Sequence, residues 1–167
     1  MSFPATTFVL NQQLFSLGGD LWIEDAAGNH VYGVRGKVVS LRRHHTLVDP
    51  AGNALYEIGQ SLAHVRRTFE IKRGDEMVAT IQEALVRFMG DHFTITLAGG
   101  DALTVTGDFI NREFHVVRGG TDVILVSRRL LSIRDSYGVQ VAEGFEVPLA
   151  LAIVVGLEQM ELEERKD

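Results

Sequence analysis

The stretch Val147–Leu162, "VPLALAIVVGLEQMEL", decides the fold of this chain. Its apolar part, Val147 to Leu157, carries no charge. A membrane span needs roughly 18–20 mainly apolar residues, and acids begin here at Glu158. Pro148 and Gly156 lie inside the run as well. A segment of this length reads as a buried core helix. Pro148 suits the first helical turn, where a missing N–H costs nothing. A helix apolar on every side must be enclosed by other structure. Glu158, Glu161, Glu163 and Glu164 are then expected to mark the end that emerges into water.

The enclosing structure is written in the rest of the chain as strand, turn, strand. "DPAGN" (Asp49–Asn53) has Asp, Pro and Gly at the positions a type I turn prefers, with Gly52 placed for a G1 bulge. "DAAGN" (Asp25–Asn29) has the same chemistry without the proline. "GNHVYGV" (Gly28–Val34) and "GNALYEI" (Gly52–Ile58) then repeat Gly, Asn, an aliphatic and Tyr at equal spacing. Looser turns follow at Arg73–Glu76, Leu97–Ala102 and Val117–Asp122. Between turns the period is two: Phe93, Ile95 and Leu97 alternate with Thr94 and Thr96; Phe69 and Ile71 with Glu70 and Lys72; Tyr137, Val139 and Val141 with Gly138 and Gln140. Such alternation gives one buried and one wet face.

Five hairpins, an early strand near Thr7–Leu10 and a late one at Ser136–Ala142 make about twelve strands. Closure into a barrel removes the exposed edges. A barrel this wide is not filled by its own side chains, and Val147–Leu162 is the segment suited to plug it. The expected fold is mainly β: a closed antiparallel barrel of about twelve strands around a hydrophobic C-terminal helix. The rival is a sandwich with the helix on one face.

Residues Phe15–Leu41, "FSLGGDLWIEDAAGNHVYGVRGKVVSL", then Leu47–Ile58 and Asp135–Met160, resemble the LURP-one-related family. The resemblance runs from about Asn11 onward, and the middle matches in style rather than motif. That family's fold resembles the tubby C-terminal domain and the one proposed for phospholipid scramblases. The resemblance implies a twelve-stranded barrel around a hydrophobic helix, in agreement with the strand count and the uncharged run. It brings no catalytic residues. Tubby-like domains bind membrane phosphoinositides through a basic surface, but no motif here permits transfer residue by residue. The chain has no cysteine to palmitoylate and no full-length span, so scrambling is not expected.

Composition sets further bounds. The 167 residues are expected to form one domain, 1–167. Hydrophobic residues make up 46 %, enough for a sizeable core. A net charge of -6 argues against nucleic-acid binding. Without cysteine there is no disulfide framework, Cys-based zinc site or thiol nucleophile, and no signal peptide is evident. A cytoplasmic location is expected.

Catalytic signatures are missing: no G-x-S-x-G, P-loop, H-E-x-x-H or G-x-G-x-x-G occurs. The six histidines, His30, His44, His45, His64, His92 and His115, read as scattered surface residues, and no metal or cofactor is expected. His44 and His45 point to opposite faces of a strand. Asp25 and Asp49 are expected to cap their own turns. Asp91 and Asp108 are a pair that would do acid/base chemistry if they met. Trp22, Phe15, Tyr32 and Tyr56 read as core or cross-strand residues.

The cations are more informative. Arg35, Lys37, Arg42, Arg43, Arg66, Arg67, Lys72 and Arg73 share their span with only Asp49, Glu57 and Glu70, so residues 35–73 carry +5 and the remainder -11. "SLRRHH" (Ser40–His45) and "HVRRTF" (His64–Phe69) meet if neighbouring hairpins bring them together. The expected site is an anion site of Lys37, Arg42, Arg43, Arg66 and Arg67, taking an anion such as a lipid head group or phosphate by charge-assisted contacts. The plain alternative is a solvated barrel exterior. Arg128, Arg129 and Arg134 in "SRRLLSIRD" (Ser127–Asp135) read the same two ways. The leading expectation is a non-enzymatic module that binds anionic lipid or a protein partner through its surface. The alternatives are a structural or regulatory interaction module, and a hydrolase or transferase with its site outside the barrel.

Overall fold

A computed structural model describes residues 5–11, 20–39, 42–62, 65–84, 93–131 and 136–164. Twelve strands occur in order: β1 (Ala5–Asn11), β2 (Leu21–Asp25), β3 (His30–Val39), β4 (Arg42–Val48), β5 (Ala54–Ser61), β6 (Thr68–Arg73), β7 (Glu76–Glu83), β8 (Phe93–Leu97), β9 (Ala102–Asp108), β10 (Glu113–Arg118), β11 (Thr121–Ser127) and β12 (Ser136–Ala142). A short 3-10 helix spans Arg128–Leu130, and one α-helix, α1, spans Val147–Glu164. Each strand pairs antiparallel with its sequence neighbours, and β1 pairs with β12, so the barrel closes. The sandwich is therefore excluded.

The turns work as their chemistry demands. Asp25 Oδ1 accepts the N–H groups of Ala27 and Asn29, both at 2.9 Å, and Asp25 Oδ2 accepts Asn29 Nδ2 at 3.0 Å. Asp49 accepts the Asn53 N–H and Asn53 Nδ2, each at 2.9 Å. These bonds hold both carboxyls below their ordinary value, the Asn side chain contributing most. Gly28 (φ 86°) and Gly52 (φ 89°) take the left-handed conformation, and the register shifts beside each turn as a G1 bulge requires.

Inward positions follow the alternation. Phe69, Ile71, Phe93, Ile95, Tyr137, Val139 and Val141 are all buried. β12 is buried on its outer face too: Leu130 covers Gly138 so closely that a Cβ there would stand 2.6 Å from the leucine Cβ. Helix α1 is buried continuously from Ala150 to Glu161. It lies nearest β5 and β6, and at Gly156 an added Cβ would be 2.6 Å from Ile81 Cδ1. Large rings occupy other parts of the interior. Phe93, Phe109 and Phe114 stack edge-on or tilted, with centroids 4.9 and 5.0 Å apart.

Two expectations need correction, at the end of the helix and at His45. Glu158 and Glu161 do not emerge into water: each is only 3 % exposed. They stay inside because Arg112 meets them there. Of the two readings for Trp22, core or cross-strand, the structure takes the second: it is 43 % exposed, pairs across strands with Gly33 and stacks on His30. Outward alternation from buried Leu21 and Ile23 puts it there. His45 is not a surface histidine but buried, one position from outward His44. Phe15, His64, Asp91, His92 and Arg134 lie outside the described residues, as do the side chains of Glu163 and Glu164.

Candidate functional site

Alternate hairpins fall at alternate ends of an antiparallel barrel, so its two rims differ. The near rim holds the β2–β3, β4–β5, β6–β7, β8–β9 and β10–β11 turns and the start of α1. There Tyr56 donates to both oxygens of Glu146, at 2.8 and 2.9 Å, and Arg73 bonds Tyr56 Oη and lies 3.2 Å from Glu146. The Glu146 carboxylate sits at the helix N-terminus, where negative charge is favourable. Burial and the neighbouring carboxylate raise the Tyr56 hydroxyl pKa. This cluster consumes Arg73. Lys72 pairs with Glu70 at 3.6 Å, and Arg35 reaches the turn at Gly52.

The far rim holds the β3–β4, β5–β6, β9–β10 and β11–β12 connections and the end of α1. Here the structure brings the sequence-predicted residues to one end. Lys37, Arg42 and Arg43 lie in the last part of the β3–β4 ladder, where Lys37 pairs with His44, Val38 with Arg43 and Val39 with Arg42. Their backbone is described; their side chains lie outside the description. Arg66 and Arg67 precede β6 in the adjoining connection, whose ladder ends at Ser61 and Thr68. Arg66 Nη1 donates to the Glu83 carbonyl at 3.1 Å and Nη2 to Gln82 Oε1 at 3.4 Å. Both acceptors are neutral, so these two bonds hold the guanidinium without cancelling its charge. The hydroxyl of buried Thr68 donates to the Arg66 carbonyl at 3.0 Å and fixes the bend. Exposed Arg128 and Arg129 join the same rim on the 3-10 helix, which Ser127 caps.

One far-rim cation turns inward. Arg112 ends the β9–β10 turn, which Asp108 closes by accepting the Asn111 N–H and Nδ2 at 3.1 and 2.7 Å. Its φ of 56° is rare for a side-chain-bearing residue. The guanidinium is 2 % exposed and bonds Glu158 twice, at 3.0 and 2.8 Å, and Glu161 at 2.6 Å. Burial opposes the Arg112 charge but is outweighed by the two carboxylates, so its pKa ends above the ordinary value. Tyr137 Oη lies beside this cluster without a hydrogen bond of normal length. Burial first, then the Glu158 charge, pushes its pKa well up. Sequence reasoning missed this lock. Its one signal was a pair of acids, at i and i+3, continuing an otherwise apolar helix.

The remaining polar groups do not assemble a catalytic constellation in the described residues. Asp108 is occupied by its turn. His30, His44 and His115 each face one carboxylate, of Glu24, Glu57 and Asp122 respectively. Among the described residues no three His, Asp or Glu side chains gather as metal ligands, and no helix is long and apolar enough to cross a membrane.

Comparison with known proteins agrees with this architecture. An uncharacterised Bacillus subtilis (strain 168) protein, YxjI, is 28 % identical over 151 residues, covering 90 % of this chain and 91 % of its own. A crystal structure of an Arabidopsis thaliana protein superimposes with a TM-score of 0.68, at 16 % identity, over 95 % of this chain and 92 % of that one. At that identity the likeness speaks for the fold alone. A family model described as LURP-one-related matches residues 6–158. The chain belongs to the LURP-one-related family.

Proposed function

We propose that this chain is a non-catalytic binding module whose far rim engages an anionic lipid head group. One observation carries the reading: the topology gathers Lys37, Arg42, Arg43, Arg66 and Arg67 at one end of the barrel, although 24 positions separate Lys37 from Ser61, where the adjoining ladder ends. Arg128 and Arg129 stand at the same end. The helix and the aromatic rings occupy the interior, so a ligand is bound from outside. Clustered cations attract phosphate-bearing surfaces by about 1 kcal/mol each near a membrane. Leu62, Val65 and Ile110, large exposed apolar side chains, belong to the connections of the same rim and suit contact with a lipid interface. A cytoplasmic place of work fits such a surface.

Liposome flotation tests this. Vesicles containing acidic phosphoinositides should carry the protein and neutral vesicles should not, with binding weakening as salt rises. Arg42→Glu with Arg43→Glu should abolish flotation while leaving the melting transition in place. Equal, negligible binding to both vesicle types would remove the lipid reading and favour a protein partner.

A further inference from the structure

The barrel wall is uneven at one place. β1 pairs with β12 along seven residues, Ala5 to Asn11. With β2 it pairs only through Phe8↔Asp25 and Val9↔Glu24. Beyond Val9 the two strands part, and a groove of about 370 Å³ opens on the outside of the seam. That volume is of ligand-site size. Its walls are Val9 and Leu21, the polar Asn11 and Ser136, the carboxylates Asp20 and Glu24, and the rings of Trp22 and His30.

Three features make this more than a crevice. Trp22, the sole tryptophan of the chain, is partly exposed here, and its indole is held rather than loose. His30 stacks on it nearly parallel, 12° and 5.2 Å between centroids, and Gly33 leaves room beneath it, where a Cβ would come within 3.2 Å of the ring. Glu24 Oε1 in turn fixes His30 Nε2 at 3.5 Å. Secondly, Ser136 is 8 % exposed, lines the groove, and its hydroxyl has no hydrogen-bond partner among the described residues. That hydroxyl oxygen is available to accept from a ligand seated in the groove. Thirdly, no Lys or Arg lines the groove among the described residues, while two carboxylates do.

We propose that this groove binds a small primary ammonium compound. The chemistry follows from the walls. A primary ammonium carries three N–H donors and no acceptor, which suits two carboxylates and a hydroxyl oxygen. Its alkyl stem has Val9 and the indole to lie against. A neutral alcohol would forgo the charge, and a quaternary ammonium would have nothing to donate to Ser136.

The lone tryptophan reports directly on the site. Butylammonium chloride should change its fluorescence saturably, whereas butanol and sodium chloride at equal concentration should not. Asp20→Asn with Glu24→Gln should weaken the response by about tenfold or more. Ser136→Ala should weaken butylammonium binding and leave the weaker response to tetramethylammonium unchanged. Calorimetric titration of Trp22→Phe should show lost affinity, with an unaltered melting transition confirming the fold. An equal response to butanol and butylammonium would overturn the proposal. So would no saturable response, or one indifferent to loss of both carboxylates.

Discussion

The Arg112 guanidinium grips the Glu158 carboxylate with two parallel bonds, Nε to Oε1 at 3.0 Å and Nη2 to Oε2 at 2.8 Å, inside the far mouth of the barrel. The same nitrogen reaches Glu161. A turn between β9 and β10 is thereby tied to the last enclosed part of α1, 46 residues later in the chain. The positive charge also lies toward the C-terminal part of the helix, where it is favoured.

Removing that charge leaves buried carboxylates without their counter-ion. Arg112→Met is expected to cost about 3–5 kcal/mol, read as a lower urea midpoint. Replacing all three as Arg112→Met, Glu158→Gln and Glu161→Met should recover most of the loss, because apolar or neutral groups of similar size need no counter-ion. A single variant as stable as the parent would show that the lock does not hold the helix.

A charge in the middle of α1 has no Arg112 to meet it. Ala152 and Ile153 are fully buried, and an isolated charge there would cost several kcal/mol against a total stability of about 5–15 kcal/mol. Ala152→Asp and Ile153→Lys are each expected to prevent folding, seen as loss of a cooperative melting transition. A soluble variant melting at the parent temperature would mean that the helix is not the axle of the barrel.

Acid should loosen the two Asx turns. Asp25 and Asp49 have folded-state pKa values below the ordinary 3.8, chiefly through the Asn29 and Asn53 side chains. A lowered folded pKa means that the unfolded chain binds the proton first, so this stabilisation is complete above the ordinary value and disappears as pH falls through the folded one. Stability measured by denaturant should decline from about pH 5 to about pH 2. Asp25→Asn with Asp49→Asn should flatten that decline, and an unchanged slope would assign it to other carboxylates.

Much of the fold was legible. Each Asx-Gly turn showed its hairpin because its bonding is local, closed within five residues from Asp25 to Asn29 or Asp49 to Asn53. Strands such as Phe93–Leu97 showed their faces because a half-buried sheet forces a period of two. The site was legible only as composition: the excess of cations in residues 35–73 was visible, but their division was not. Arg73 and Arg35 serve the near rim, while Lys37, Arg42, Arg43, Arg66 and Arg67 lie toward the far one. That division is set by which end each hairpin closes.

By itself the sequence determined the elements, the closure and the buried helix, because turn chemistry, alternation and an uncharged run are properties of neighbouring residues. Only the tertiary structure decided how those elements meet. It placed Arg112 against Glu158 and Glu161, so that acids which read as a solvated helix end became a buried ion cluster. It also parted β1 from β2 beside Trp22 and left that ring half in water. Both outcomes depend on groups far apart in the chain, whose distance is set by barrel closure and by no local pattern.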